Sequence, residues 1–237
     1  MKQSIEQFIA SQTPLSRRKI TDAIKQGRVT VNNKVISKFT HLINPEKDRV
    51  KMDGTGIKSE MELLYFKLNK PRNIICTLED PKGRDDLRKC LKGLPEQLFP
   101  IGRLDRNTNG LLLLTNDGNF AHMILHPTFE VPKTYQIKVN SPLPLNIEQR
   151  LKAGIFLSDG PVQAESVTRV SDNEVVITIT EGRNRIIRRI FELFGYNNIS
   201  LKRLSIGPIE LEGLKEGQVA QLTKKELAQI NKLGSNQ

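Results

Sequence analysis

The stretch GRLDRNTNGLLLLTNDG, residues 102–118, contains the most informative pattern in the chain. A polar segment that starts at a glycine runs directly into four leucines, which is typical of a loop leading into a buried strand. Asp105 lies in that loop between Arg103 and Arg106, and nearby positive charge favours the ionised form of a carboxylate. Such a carboxylate can act as a nucleophile or a base. The ordinary alternative is an aspartate that only stabilises a turn.

The pattern on either side of this stretch indicates mixed helices and strands. We expect strands at 63–68, 111–115, 135–139 and 175–179, with Tyr135 on the same face as Ile137. We expect helices at 119–125, 146–153 and 184–194, and a last one from Thr223, where Glu226 completes a capping box. Strands and helices do not alternate strictly, so the predicted fold class is α+β with a mixed sheet.

The charge of the chain is concentrated near its start. The 237 residues have a formal charge of +11 at pH 7 and a pI near 9.7. Residues 1–54 contain 11 of the 37 basic residues but only 5 of the 26 acidic ones. A polyanionic partner is therefore expected, and this asymmetry predicts a small RNA- or DNA-facing module at the N-terminus.

This first segment reads as helix, helix and hairpin. The first helix is predicted by one apolar face formed by Ile5, Phe8 and Ile9, and Pro14 is its expected end. A second helix is expected from the N-cap Ser16 to the stop at Gly27. Basic side chains lie largely off the second apolar stripe: Arg17, Arg18, Lys19 and Lys25. Asn32-Asn33 predicts a tight hairpin turn. Residues 53–56, with the polar stretch after them, are the expected linker.

Several protein classes are excluded by composition. Two cysteines, Cys76 and Cys90, are too few for a disulfide scaffold or a four-cysteine zinc site, and they suit a reducing cytoplasm. Apolar runs stay well short of the ~18 residues that a transmembrane helix needs, and residues 1–19 lack the pattern of a secretory signal. We therefore expect a cytoplasmic protein without membrane association.

Two further pairs of side chains are weak metal candidates. His122 and His126 have a spacing that zinc can use, but neither an adjacent carboxylate motif nor a third histidine stands nearby in the sequence. Asp85-Asp86 lies beside Arg84 and Arg88, which favours a solvated polar loop over a metal-dependent nuclease. No metal site is therefore expected.

Two resemblances to known families follow from these motifs. The segment SRRKITDAIKQGRVTVNNKVISKFTHLINPEKDRVKMDG, within residues 3–54, resembles the S4-type RNA-binding domain. The stretch 102–118 resembles the signature of the RNA pseudouridine synthases, in particular the group acting on ribosomal small- and large-subunit RNA. Three more segments resemble that group in the same order: Asn69-Lys-Pro71, Lys133-Thr-Tyr135 and Glu181-Gly-Arg-Asn-Arg-Ile-Ile-Arg-Arg-Ile190.

The resemblance implies specific roles and two domains. Asp105 matches the catalytic aspartate, Tyr135 the tyrosine that stacks near the target base, and Arg188 the basic residue that pairs with the carboxylate. It implies no metal, cofactor or small-molecule partner, since the reaction is an isomerisation. The expected domains are 1–56 for RNA binding and 57–237 for catalysis. The candidate RNA contacts are Arg17, Arg18, Lys19, Lys25, Arg28, Arg103, Arg183, Arg185 and Arg189.

Helical spacing supports one of these roles independently. Ile187, Ile190, Phe191 and Phe194 form a core-facing stripe, and Arg188 lies on the opposite arc with Arg185, Arg189 and Glu192, from which it can reach the Asp105 loop. For Arg185 and Arg189, phosphate contact and a solvated basic face remain equal alternatives.

Two positions depart from the family pattern. Ile186 stands where glutamine is common, and Asn73 stands where glycine is usual. Asparagine tolerates left-handed backbone angles, so we expect the turn at Asn73 to be kept.

The spacing around His126-Pro127 and Asp159-Gly-Pro161 resembles the large-subunit enzymes more than the small-subunit one. The expected function is therefore isomerisation of uridine to pseudouridine in ribosomal RNA, or in a ribosomal subunit precursor, by a monomeric enzyme acting on a flipped-out base. Small-subunit RNA as the substrate and a non-catalytic ribosome-assembly protein remain alternatives. A nucleic-acid hydrolase would need metal ligands that the sequence does not offer.

Overall fold

The structure, a computed structural model, describes residues 2–13, 15–57 and 62–235. Pro14, the expected end of the first helix, lies outside the described residues. The chain divides into an N-terminal unit, formed by residues 1–64 with 94–99 and 115–119, and a larger unit formed by the rest. Within the described ranges, the helices are too short or too polar to cross a bilayer.

The N-terminal unit has the predicted order of helix, helix and hairpin. Its elements are β1 (Gln3–Ser4), α1 (Ile5–Gln12), α2 (Arg17–Lys25), β2 (Val29–Val31), β3 (Lys34–Val35), β4 (Leu42–Ile43), β5 (Val50–Met52) and β6 (Thr55–Gly56). Ser4 and Gln7 form a capping box at the start of α1, and the Ser16 hydroxyl accepts a hydrogen bond from the Lys19 amide at the start of α2. These caps satisfy amides that the first turn of a helix leaves free.

Two hairpin turns shape the sheet of this unit. Asn32 and Asn33 both have positive φ, 51° and 66°, between β2 and β3, so the predicted hairpin is confirmed. The prediction of a linker at 53–56 is wrong, because Asp53 and Gly54 turn the chain between β5 and β6. Asp-Gly is a strong signal for this kind of turn. The next residues, 58–61, lie outside the described part of the chain.

The remaining elements include the main sheet and four helices of the described chain. In chain order they are β7 (Tyr65–Lys70), β8 (Phe99–Pro100), β9 (Thr108–Thr115), α3 (Gly118–Leu125), β10 (Lys133–Lys138), α4 (Ile147–Ala153), β11 (Ile155–Leu157), β12 (Gly160–Val162), β13 (Ser166–Ser171), β14 (Glu174–Ile179), α5 (Ile186–Leu193), β15 (Ser200–Ile206), β16 (Ile209–Glu210), β17 (Val219–Gln221) and α6 (Lys224–Ser235). Short 3₁₀ turns lie at Leu87–Lys89 and Pro127–Phe129.

The main sheet is mixed, as predicted. Its strand order is β13-β14-β10-β15-β9-β7-β17. Strand β10 pairs antiparallel with β14 and β15, whereas β15 pairs in parallel with β9. The strand after the loop of Asp105 therefore lies directly beside β15 and one strand away from β10, which contains Tyr135.

Most predicted elements are confirmed within one to three residues, with two differences that matter. The strand expected from residue 63 begins at Tyr65, and Leu63 is 47% exposed. Helix α5 begins at Ile186, because Arg185 has a left-handed φ of 51° and stands outside the helix as its N-cap. The prediction that Arg185 lies on the helix face beside Arg188 is therefore wrong.

Two apolar clusters support the larger unit. One joins strands β10 and β14 to helix α5 through residues such as Ile137, Ile177, Ile187 and Phe191. The second contains Leu68, Leu112 and Leu104. Because Leu104 is buried in this second cluster, it fixes the chain immediately before Asp105.

Candidate active site

Asp105 lies in a loop that both neighbouring residues and backbone bonds hold in place. Its carbonyl oxygen accepts a hydrogen bond from the Thr108 amide at 3.0 Å, which closes the turn into β9. The adjacent Leu104 is 5% exposed, whereas the Asp105 side chain is 33% exposed. The carboxylate is thus the accessible group of an otherwise anchored loop, as a nucleophile or base must be.

A fully buried lysine supports this loop from below. The Lys70 ammonium donates to the carbonyl oxygens of Pro71 at 2.9 Å, Thr108 at 3.0 Å and Asp105 at 3.4 Å. Burial lowers the pKa of Lys70. In the sequence, Lys70 stands only within the Asn69-Lys-Pro71 motif, which does not indicate this role. The one signal for it is a charged residue at the end of an apolar strand.

The turn at Asn73 holds the same loop from the other side. Asn73 has a φ of 65°, so the expectation that asparagine keeps the left-handed turn is confirmed. Its amide donates to the Arg106 carbonyl at 2.8 Å, and Arg106 Nε donates to the Asn73 carbonyl at 3.3 Å. The departure from glycine therefore leaves the support of the loop intact.

The side chain of Arg188 reaches the Asp105 loop from helix α5. Its Nε lies 3.3 Å from Oδ2 of Asp105, and its Nη2 donates to Thr108 Oγ1 at 3.0 Å and to the Asn107 carbonyl at 3.2 Å. A further bond joins Nη1 to the Ile199 carbonyl at 3.4 Å. Arg188 is only 9% exposed, so one guanidinium fixes both the carboxylate and the backbone that bears it.

Two strands approach each other closely beside the site. In the parallel pair of β9 and β15, Gly110 lies opposite Arg203. A Cβ atom at Gly110 would lie 2.2 Å from the Arg203 carbonyl oxygen, and Gly110 has a φ of 107°. Only glycine fits this position, and the resulting contact brings β15 against the strand that follows Asp105.

A cavity of about 140 Å³ opens at Asp105. This is below the roughly 300–1,000 Å³ of sites for drug-sized molecules, so it suits a single flat group. Tyr135 contributes to its wall from β10, where it lies opposite Arg203 of β15 and Ile177 of β14. The three residues predicted to be catalytic are therefore close together, with Asp105 and Tyr135 lining the cavity and Arg188 bonded to Asp105.

Three predicted RNA contacts lie around this cavity: Arg103, Arg183 and Arg185. Arg103 is exposed and forms no hydrogen bond or ion pair with another described residue. Among the residues that the structure describes, the Arg185 side chain makes one surface ion pair, with Glu192 at 3.2 Å. Both side chains are thus available to an anionic ligand.

Two other arginines are already paired with a carboxylate. Asp159, between β11 and β12, accepts from Arg183 at 2.7 Å and from Arg189 at 2.5 Å and 2.7 Å. Arg183 also binds Glu181 at 2.5 Å. The hydrogen bond from Arg189 is the main reason that the pKa of Asp159 falls to about 2. Arg183 and Arg189 therefore hold the β11–β12 hairpin in the unbound structure.

The basic residues of α2 form a separate charged surface on the N-terminal unit. Arg17, Arg18, Lys19 and Lys25 are all exposed, as their position off the apolar stripe predicted. Arg28 differs, because Nε and Nη2 donate to the two carboxylate oxygens of Asp53 at 2.7 Å and 2.5 Å. These hydrogen bonds lower the pKa of Asp53.

The candidate metal ligands have other contacts. The rings of His122 and His126 stack with centroids 4.6 Å apart. Asp86 is buried and binds Arg88 at 2.7 Å, so the prediction of a solvated loop is wrong for this residue. Among the described residues, histidine, cysteine and acidic side chains form no group of three or more that could hold a metal ion.

Comparison with known proteins assigns the chain to a family. Residues 65–193 match the family model described as RNA pseudouridylate synthase, and residues 4–39 match the S4 domain model. The chain belongs to the RNA pseudouridine synthase family. This synthase is 38% identical over 238 residues to the ribosomal large subunit pseudouridine synthase B of Bacillus subtilis, covering 98% of this chain and 97% of the relative.

Other relatives agree over the whole length of the synthase. An uncharacterized RNA pseudouridine synthase of Aquifex aeolicus is 38% identical, with 98% of this chain and 95% of the relative covered. The crystal structure of a pseudouridylate synthase superimposes with a TM-score of 0.69 at 31% identity, covering 96% of this chain and 99% of the other. The α+β fold with an S4 domain and the enzyme class are thereby confirmed.

Proposed function

We propose that this synthase converts a specific uridine of large-subunit ribosomal RNA to pseudouridine, with Asp105 as the nucleophile. The observation that carries the proposal is the contact between Arg188 and the Asp105 carboxylate at the mouth of a cavity of base size. The choice of large-subunit RNA is supported by the name of the Bacillus subtilis relative and by the spacing around His126-Pro127 and Asp159-Gly-Pro161.

The mechanism assigns one task to each side chain. The target uridine leaves its stack and enters the cavity, where the Tyr135 ring stacks near it and offsets part of the cost of flipping. The Asp105 carboxylate bonds to C1′ of the ribose as the C1′–N1 bond breaks with its electron pair moving onto the uracil. The ring turns, and C5 bonds to C1′ as the Asp105–C1′ bond breaks and the carboxylate is regenerated. The proton lost from C5 is balanced by one gained at N1.

Arg188 supports this chemistry by position. Its charge-assisted bond aims the carboxylate, and its bonds to Asn107 and Thr108 keep the loop in one conformation. The atoms of the substrate are conserved in the product, so the reaction needs neither metal nor cofactor. The presence of Asp105, Tyr135 and Arg188 at one cavity supports an enzyme over a non-catalytic assembly factor.

The N-terminal module, residues 1–56, is proposed to supply RNA affinity. Its exposed basic residues on α2 and its match to the S4 domain support this role. Around the cavity, Arg103 and Arg185 are the candidates for phosphate contact. Arg183 and Arg189 would contact RNA only by exchanging or sharing their bond to Asp159. We expect the enzyme to act as a cytoplasmic monomer.

Mapping of pseudouridines tests the substrate. Carbodiimide treatment followed by primer extension marks each pseudouridine as a stop, and it is applied to both ribosomal RNAs from strains with and without this protein. In the strain without the protein, one stop should be missing from large-subunit RNA, and small-subunit RNA should be unchanged. The stop should return with the wild-type gene but not with Asp105→Asn. A stop lost from small-subunit RNA would contradict the substrate, and an unchanged pattern in both RNAs would favour the assembly-factor alternative.

A further inference from the structure

Two buried cations line the cavity without an acidic partner. Lys133 is 6% exposed and Arg203 is 5% exposed, and both contribute to the wall shared with Asp105 and Tyr135. Neither forms an ion pair within the described residues. Burial of a charge without an opposite charge is costly, so such groups are rarely kept for stability alone.

The hydrogen bonds of these two side chains do not use all of their N–H donors. Lys133 Nζ donates to the carbonyl oxygens of Val131 at 2.7 Å and Thr180 at 3.4 Å. Arg203 Nε donates to the Leu111 carbonyl at 2.7 Å, but the buried Nη2 of Arg203 has no hydrogen-bond partner among the described residues. A buried guanidinium nitrogen without a partner is a rare feature that calls for an explanation.

Their placement on the sheet relates them to the base rather than to the RNA backbone. Tyr135 lies opposite Arg203 in the pairing of β10 with β15, and Lys133 is two residues before Tyr135 on the same buried face. A uracil that stacks near Tyr135 therefore approaches this pair, whereas exposed arginines stand ready for phosphate. Burial and the charge of Arg203 together lower the pKa of Lys133 to about 8.

We propose that Lys133 and Arg203 form a cationic floor that stabilises the negative charge moving onto uracil when the C1′–N1 bond breaks. The inference rests on the proposed function. In that step the bonding pair leaves with N1, and the negative charge spreads onto the carbonyl oxygens O2 and O4 of uracil. Fixed positive charge in a site of low dielectric is strongest where charge develops in the transition state. The floor therefore favours the departing uracil over the neutral bound base.

A change of leaving group tests this floor. The substrate is the ribosomal RNA fragment that contains the mapped uridine, transcribed either with uridine or with 5-fluorouridine. Fluorine at C5 makes uracil a better leaving group, so its departure needs less help from the floor. Single-turnover rates at saturating enzyme are followed by digestion to nucleosides and mass spectrometry of the remaining starting nucleoside.

The variants remove one charge at a time. Lys133→Gln and Arg203→Gln should each slow the uridine reaction by about 10-fold or more, within the range for loss of one group that stabilises developing charge. With 5-fluorouridine the same variants should show a clearly smaller loss. Arg203→Lys keeps the charge and should restore most of the rate. Lys67→Gln removes a cation of the same sheet that binds Glu226 outside the cavity, and it should not change the ratio of the two substrates.

Two results would contradict the role of Lys133 and Arg203 in stabilising the departing uracil. Equal losses on both substrates would mean that the two residues only shape the site, and a change in RNA affinity at an unchanged rate would mean that they bind phosphate. Either result overturns the inference. Thermal unfolding identifies any variant that does not fold. Because Lys133 and Arg203 are replaced separately, a variant that does fold still tests the inference. Failure of the wild type to convert uridine would instead contradict the proposed function.

Discussion

The guanidinium of Arg188 lies 3.3 Å from the carboxylate of Asp105, although 83 residues separate them in the chain. The same guanidinium binds Thr108 and the Asn107 carbonyl. One side chain of α5 thus holds both the reactive group and its loop.

Loss of the Arg188 side chain should reduce rate more than RNA affinity. We expect Arg188→Ala to lower the single-turnover rate about 100-fold or more, since the carboxylate and its loop lose a buried, charge-assisted partner. Arg188→Lys keeps the charge but not the several bonds of a planar guanidinium, so it should also be strongly impaired. The control is Arg189→Ala. The Arg189 side chain, one residue further along the helix, binds Asp159 rather than Asp105, so its loss should not slow the reaction of bound RNA to this extent. A wild-type rate for bound Arg188→Ala would contradict the pairing.

The close contact between β9 and β15 should not tolerate a methyl group. Gly110→Ala places a Cβ atom 2.2 Å from the Arg203 carbonyl oxygen, at a position where φ is positive. Backbone strain alone costs about 1–3 kcal/mol, and the clash adds to it, so the free energy of unfolding should fall by more than that. Gly182→Ala is the matched control, because its Cβ would meet nothing within 4 Å. Urea unfolding compares the two, and equal stability would show that the strands can separate at no cost.

Lys133 should make stability depend on alkaline pH. Its pKa is about 8 in the folded chain and near 10.4 when unfolded, so between these values the unfolded state binds more protons. Stability of the wild type relative to Lys133→Gln should therefore rise with pH from about 8 to 10.4, by on the order of 3 kcal/mol. Urea unfolding of both proteins at pH 7.5 and pH 10 measures the difference. A constant difference would mean that Lys133 is not desolvated.

Neutralising the basic surface of α2 should flatten the salt dependence of RNA binding. Replacing Arg17, Arg18 and Lys19 with glutamine removes up to three phosphate contacts, each of which contributes roughly 0.7–0.9 to the slope of log affinity against log salt. The control carries the same charge loss at three exposed lysines of α6: Lys224, Lys225 and Lys232. If both triple variants have the same slope, the surface of α2 does not contact RNA.

Local patterns predicted most of this structure. The cap at Ser16, the Asn32-Asn33 turn and the stripe of α5 depend on neighbours within a few residues, and the sequence shows them directly. Long-range contacts were different. The bonds from Lys70 to the carbonyl oxygens of Asp105 and Thr108 depend on how distant segments meet. Even the linker at 53–56 was predicted wrongly, because a polar Asp-Gly segment fits both a hairpin and a connection.

The candidate site was also predicted only in part, because some of its contacts join segments that are distant in the sequence. Motifs identified Asp105, Tyr135 and Arg188, but the engagement of Arg183 and Arg189 by Asp159 required the hairpin of β11 and β12 to fold beside them. The buried position of Arg203 had a signal that was not used, since it occupies an apolar position in the alternation of β15. A charge at such a position is worth treating as a candidate site residue.

Asp105→Asn is the most direct test of the account, because it keeps the size of the side chain and removes its charge. Wild type and variant are incubated in excess over the RNA fragment with the mapped uridine, and pseudouridine is quantified by mass spectrometry of the digested RNA, with filter binding as the control for affinity. We predict RNA binding within a few fold of wild type and no detectable pseudouridine. Measurable turnover by the purified variant, from a host lacking the wild-type gene, would contradict the claim that Asp105 does the chemistry.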